Sequence, residues 1–149
     1  MNINTENIHK RIIIQASLKT AWWKWTTSEG LKTFFGAENQ IELRPGGPFE
    51  IYFLLDNPEG TRGGEGNKVL SFLPEQMLTF SWNAPPSIPE IRNQEHRTWV
   101  VINFHAIDAQ STEITLDHLG WLDGEKWDET YAYFDKAWDM VLDSLVESC

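Results

Sequence analysis

The sequence predicts an α+β fold in which a curved antiparallel sheet of about six or seven strands wraps around one long C-terminal helix. Three observations carry this. From Asp123 onward the apolar residues Trp127, Tyr131, Phe134, Trp138, Val141 and Leu145 step by four and three, which draws one stripe along a helix. The middle of the chain is a series of short β-branched and aromatic runs broken by turn residues, the pattern of a meander. A sheet that lies beside such a helix must cover its stripe with one face, which fixes a two-layer plan.

The elements follow in order. IHKRIIIQAS is β-branched up to its break at Ala16-Ser17 and reads as a strand. LKTAWWKWTTSEGLKTFFG then spaces Ala21, Trp22 and Trp25, and after them Leu31, Phe34 and Phe35, as two short helices joined at TTSEG, with Thr27 or Ser28 as a cap. QIEL and PFEIYFLL flank RPGG, whose proline and glycines mark a hairpin. GEGNKVLSFL pairs with QMLTFSW across Pro74-Glu75, and HRTWVVINFHA with STEITLDHL across IDAQ. Between these pairs, NAPPSIPEIRNQE holds three prolines and reads as a mobile rim loop. Asp123 is the expected N-cap of the last helix, whose opposite side carries Lys126, Glu129, Lys136, Asp139 and Asp143.

The chain of 149 residues fits a single domain spanning residues 1–149, long enough to bury roughly 70% of its unfolded surface. Its formal charge of −10 repels nucleic-acid phosphates and anionic membrane surfaces. No apolar run approaches the ~20 residues of a membrane span, and the start lacks the apolar core of a signal peptide. The one cysteine, Cys149, forms no internal disulfide, and the cytoplasm is the expected compartment. No two of His9, His96, His105 and His118 have metal-ligand spacing. GTRGGEG is glycine-rich but precedes a strand, so it lacks the helix N-terminus of a phosphate loop; it reads as a flexible hairpin able to gate a cavity.

Eight tryptophans, set with Tyr and Phe among Glu, Asn and His, hint at walls shaped around something rather than a plain aliphatic core. Four segments carry a resemblance. They are IQASLKTAWWKWTTSEGLKTFFG, LRPGGPFEIYF, LPEQMLTFSW and STEITLDHLGW, in this order and with natural spacing. Over residues 8–147 the chain resembles the START-like (SRPBCC) superfamily and, within it, the branch of activator of heat-shock-protein ATPase homologues. Two positions depart from the pattern: Phe35 stands where the family often has Trp, and Ala137-Trp138 where it has Gly-Trp. The resemblance implies a helix-grip fold and a cavity between sheet and helix for a small hydrophobic ligand. It implies no catalytic residues and no cofactor.

On this reading Tyr52, Trp82, Phe104, Leu116, Tyr131, Phe134 and Trp138 supply apolar walls, while His118 and Glu50 orient the ligand. His118 continues the face of Ile114 and Leu116 toward the helix. It is either a satisfied core histidine, bonded to a carbonyl or to Tyr131, or a ligand contact or general base. Asp117 points to the other face and is no partner for it. Glu50 is either an exposed sheet charge or an inward one paired with Arg97, Lys68 or His118. Trp99 and His105 fall on the outer sheet face, where Trp99 suggests a homodimer contact. Two rival readings use the same fold: an enzyme doing acid/base chemistry on a lipid-like or aromatic substrate, and, from the family's name, a module that binds a chaperone.

Overall fold

The structure is a computed structural model that describes residues 2–149. Strand β1 (Ile8–Ile14) leads into helices α1 (Leu18–Thr26) and α2 (Ser28–Lys32). Strands β2 (Glu38–Ile41), β3 (Phe49–Tyr52), β4 (Val69–Leu73) and β5 (Met77–Trp82) follow, then the single-turn helix α3 (Pro89–Arg92). Strands β6 (Thr98–Asp108) and β7 (Ser111–Leu119) precede the long helix α4 (Glu125–Glu147). The seven strands are all antiparallel, five in the order β1-β7-β6-β5-β4 and two in the hairpin β2-β3, which meets the larger sheet through a bridge between Pro48 and Lys68. This is the helix-grip plan.

The period of two in β7 sets the core. Thr112, Ile114, Leu116 and His118 are all fully buried on the inner face, and Val100 and Ile102 of β6 lie on the same side. Phe104 continues that set but packs edge-on against Trp22 of α1, 5.3 Å between centroids. From β3, Phe49 stacks on Phe80 at 4.0 Å. Lys10 of β1 pairs with Asp135 and Asp139 at 2.9 and 3.0 Å, tying the edge strand to α4.

Local chemistry explains the helix ends. Ser17 caps α1 by accepting from the Thr20 amide at 3.1 Å, and Thr27 caps α2 through the Gly30 amide at 2.9 Å. The two helices approach so closely that a Cβ on Gly30 would sit 2.2 Å from the Trp23 carbonyl oxygen. Lys24 is buried there, its Nζ donating to Thr33 Oγ1 at 2.9 Å and Ser148 Oγ at 3.0 Å. It thus supplies a cation where the last turns of α1 and α4 converge.

Four expectations are corrected. The N-cap of α4 is Gly124, while Asp123 accepts from Asn4 Nδ2 at 3.1 Å. Residues 83–95 are a structured segment containing α3 rather than a free rim loop. Leu142 takes the buried place expected of Val141, which is half-buried at the stripe's edge. The glycine-rich hairpin is tied down by Glu65, whose carboxylate accepts from the amides of Gly60, Arg62 and Gly63, the last two at 2.8 Å. Arg92 locks the same loop by donating to the carbonyls of Gly63, Ala84 and Gly60, each at 2.7 Å.

Candidate functional site

An open apolar groove runs along one side of α4. It has two adjoining parts of about 270 and 170 Å3 that share Phe53, Trp82, Tyr133 and Phe134. Along α4 the larger part continues over Ala137, Trp138 and Val141, with Phe35 opposite. The smaller part is closed by Asn83 and Pro86, from the segment after β5. Each part has room on the order of one or two aromatic rings, by comparison with a cavity of ~150 Å3 that holds benzene.

The rings of the wall brace one another. Trp82 and Trp138 lie 5.5 Å apart, and Phe35 sits 5.6 Å from Trp82, 5.8 Å from Trp138 and 6.1 Å from Phe53. Among the described residues no charged side chain lines either part. Asn83 has both ends of its amide engaged, accepting from Asn67 Nδ2 at 3.0 Å and donating to the Glu65 carbonyl at 3.1 Å.

His118 stands behind this wall with no exposed surface. Its Nδ1 accepts from the indole N–H of Trp138 at 2.9 Å. Indole only donates, so Nδ1 carries no proton and Nε2–H donates to Thr98 Oγ1 at 2.7 Å. Thr98 in turn donates to the Trp82 carbonyl at 3.2 Å. The ring packs between Trp121, 4.4 Å away, and Phe134, 5.3 Å away. Burial without a counter-charge pushes the imidazole down from 6.5 to about 3, so it stays neutral. His118 is thus a satisfied core histidine whose partners are Trp138 and Thr98, not Tyr131 or a backbone carbonyl.

The nine residues singled out in the sequence fall in three places. Trp82, Phe134 and Trp138 line the groove. Leu116, His118 and Phe104 lie in the closed core, 0, 0 and 6% exposed. Glu50, Tyr52 and Tyr131 lie outside it. Glu50 and Tyr52 alternate with the buried Phe49 and Ile51 and so turn away from the core. Tyr52 donates to Glu50 at 2.5 Å, and burial followed by that carboxylate raises its hydroxyl pKa. Glu50 also accepts from the Gly66 amide at 2.9 Å. It exerts an attraction on Arg97, whose guanidinium donates to Asn67 at 2.8 Å. Tyr131 packs on Trp121 and donates to the Asn7 carbonyl at 3.3 Å, on the β1 side of the helix.

Sequence reasoning missed Phe53, Tyr133 and Met140 as groove residues. The pattern of PFEIYFLL places Phe53 in a strand, but its amide and that of Leu54 both donate to the Arg62 carbonyl, so the chain leaves the sheet there. A signal for Met140 existed: it is an apolar residue on the side of α4 otherwise filled by charge, and it is 72% exposed. Phe35 and Ala137, the two departures from the family pattern, both line the groove.

Among the described residues no helix is long and apolar enough to cross a membrane. No curated protein matches the chain in sequence. Solved structures do match its fold. Protein MLL2253 from Mesorhizobium loti is 15% identical with a TM-score of 0.74, over 96% of each chain. The Aha1 dimer from Colwellia psychrerythraea is 22% identical with a TM-score of 0.70, over 97% of this chain and 96% of that one. PFC0360w, an HSP90 activator from Plasmodium falciparum, is 14% identical with a TM-score of 0.70, over 93 and 92%. The helix-grip fold is therefore shared along nearly the whole length of each chain. Residues 15–148 match the Activator of Hsp90 ATPase homolog 1-like proteins, and the chain belongs to that family.

Proposed function

We propose that this protein binds a small, uncharged, predominantly apolar molecule in the groove beside α4. The observation that carries the reading is a wall of aromatic rings from four separate segments, holding Phe35, Phe53, Trp82, Phe134 and Trp138, with no charged side chain in the lining. Such a wall rewards a flat, neutral ligand and offers no counter-ion to a carboxylate or an ammonium. Enclosing on the order of 200–300 Å2 of apolar ligand surface at about 25 cal/mol per Å2 gives roughly 5–7.5 kcal/mol before association costs, which sets weak binding, of about 100 μM, as the expectation. Tyr133 and Ser87 bring hydroxyls to the groove's margin and would meet a ligand's polar tip. The lining contains no carboxylate, imidazole or ammonium to serve as acid or base, which favours a binder over an enzyme.

The test is a fluorescence titration with N-phenyl-1-naphthylamine, a neutral two-part aromatic probe. Wild type should saturate with a dissociation constant of about 100 μM. Ala137→Trp fills the groove from its half-buried edge and should weaken binding at least about tenfold while the protein still melts cooperatively. Binding that does not saturate, or that Ala137→Trp leaves unchanged, would sink the proposal. A second reading takes its cue from the family's name and from the exposed Leu54 and Met140 at the groove: a partner protein, such as an Hsp90-type chaperone, docking an apolar side chain there. Competition between the probe and purified chaperone separates the two readings.

A further inference from the structure

The groove wall has a polar feature that never reaches the groove. Trp138 is 1% exposed and lines the larger part, yet its one polar hydrogen is taken by His118 on the side away from any ligand. A tryptophan ring has broad freedom about its second torsion, so something must choose its plane. We propose that His118 is the positioning residue of the groove: its imidazole fixes the ring of Trp138 and, through Thr98, the end of β5 that carries Trp82. The shape that a ligand meets is then set by a side chain it never touches. The consequence for ligands rests on the binding reading above; the fixing of Trp138 does not.

Three properties are needed at this position, and histidine supplies all of them. It presents an acceptor at Nδ1 to the Trp138 N–H at 2.9 Å and a donor at Nε2 to Thr98 Oγ1 at 2.7 Å. It also has apolar ring faces that fill the space between Trp121 and Phe134, 4.4 and 5.3 Å away. Thr98 passes the bond to the Trp82 carbonyl, so the two tryptophans, 5.5 Å apart across the groove wall, are held by one chain of hydrogen bonds. Because the indole N–H is used behind the wall, Trp138 offers the groove a carbon surface only. Removing the acceptor would release a hydrogen-bond donor into an otherwise uncharged wall and free the ring to turn.

Phenylalanine keeps the volume of the imidazole and loses both polar contacts. Asparagine keeps an acceptor near the Nδ1 position and loses volume. The two variants therefore separate positioning from packing. With 15N-labelled full-length protein, the Trp138 indole resonance, assigned through Trp138→Phe, should move upfield and exchange faster with solvent in His118→Phe, and should stay near its place in His118→Asn. N-phenyl-1-naphthylamine should bind His118→Phe about fivefold more weakly than wild type, and His118→Asn within about twofold of wild type, even where the asparagine variant melts lower. An unmoved Trp138 resonance in His118→Phe, or affinities that follow melting temperature across the series, would overturn the proposal. If His118→Phe does not fold, the asparagine variant decides: a retained resonance upholds the positioning and a lost one refutes it. A wild-type protein that fails to bind the probe refutes the ligand reading, while the resonance still decides whether His118 fixes Trp138.

Discussion

Acidification should weaken this fold through one side chain, His118. In the unfolded chain its imidazole takes up a proton near 6.5, whereas in the folded protein burial holds it down to about 3. The folded pKa is the lower one, so the unfolded state binds more protons at every pH between the two. Stability from this group is therefore full above about 6.5 and is lost progressively as pH falls toward 3. Between pH 7 and pH 5 the unfolded imidazole goes from mostly neutral to almost wholly protonated, while the folded one stays neutral. The resulting loss is about 2 kcal/mol. Urea unfolding followed by tryptophan fluorescence at several pH values measures it, with His118→Phe as the control. At pH 7 the variant should be weaker by about 1–3 kcal/mol, because the Trp138 N–H and the Thr98 hydroxyl lose their partner. Its stability should then fall less steeply with acid than that of wild type, by the same ~2 kcal/mol over this interval. Parallel pH profiles for the two proteins would refute the claim that His118 is buried and neutral.

Three further outcomes follow from the packing. Lys24→Met removes the ammonium that joins Thr33 to Ser148, and should cost about 1–3 kcal/mol. Hydrogen exchange should show the loss concentrated in the last turn of α4. Gly30→Ala places a methyl against the Trp23 carbonyl, and should cost at least about 2 kcal/mol in thermal unfolding. Arg92→Met releases the loop around Glu65 and should speed tryptic cleavage after Arg62. A cleavage rate equal to that of wild type would mean that the loop is held by Glu65 alone.

The elements were legible in the sequence because their signals are local. Alternation in STEITLDHL put Ile114, Leu116 and His118 on one face, and the structure buries all three. Stepping by four and three marked α4, though true helical geometry shifted the buried residue from Val141 to Leu142 and left Val141 to the groove. The site was legible only in part. Trp82, Phe134 and Trp138, expected as walls from their bulk and their inner-face positions, do border the groove. Both faces of FEIYFLL are apolar enough to be inner, which is why Glu50 and Tyr52 read as candidates, and only tertiary packing, with Phe49 stacked on Phe80, settles which face is. The partners of His118 could not be read: Thr98 and Trp138 each lie twenty residues away along the chain, on a different element, and meet it only through tertiary packing. Phe53 joins the groove because a carbonyl from Arg62 pulls the backbone out of the sheet, a contact that leaves no pattern in the sequence.

The eight tryptophan indoles report directly on whether the groove binds a ligand. In a 1H–15N titration of wild-type protein with N-phenyl-1-naphthylamine, Trp82 and Trp138, which line the groove, should shift in step with saturation. Trp23, 42% exposed on α1, and Trp99, over Gly120 outside the groove, should not move. Shifts confined to Trp23 or Trp99, or none at all at saturating probe, would contradict it.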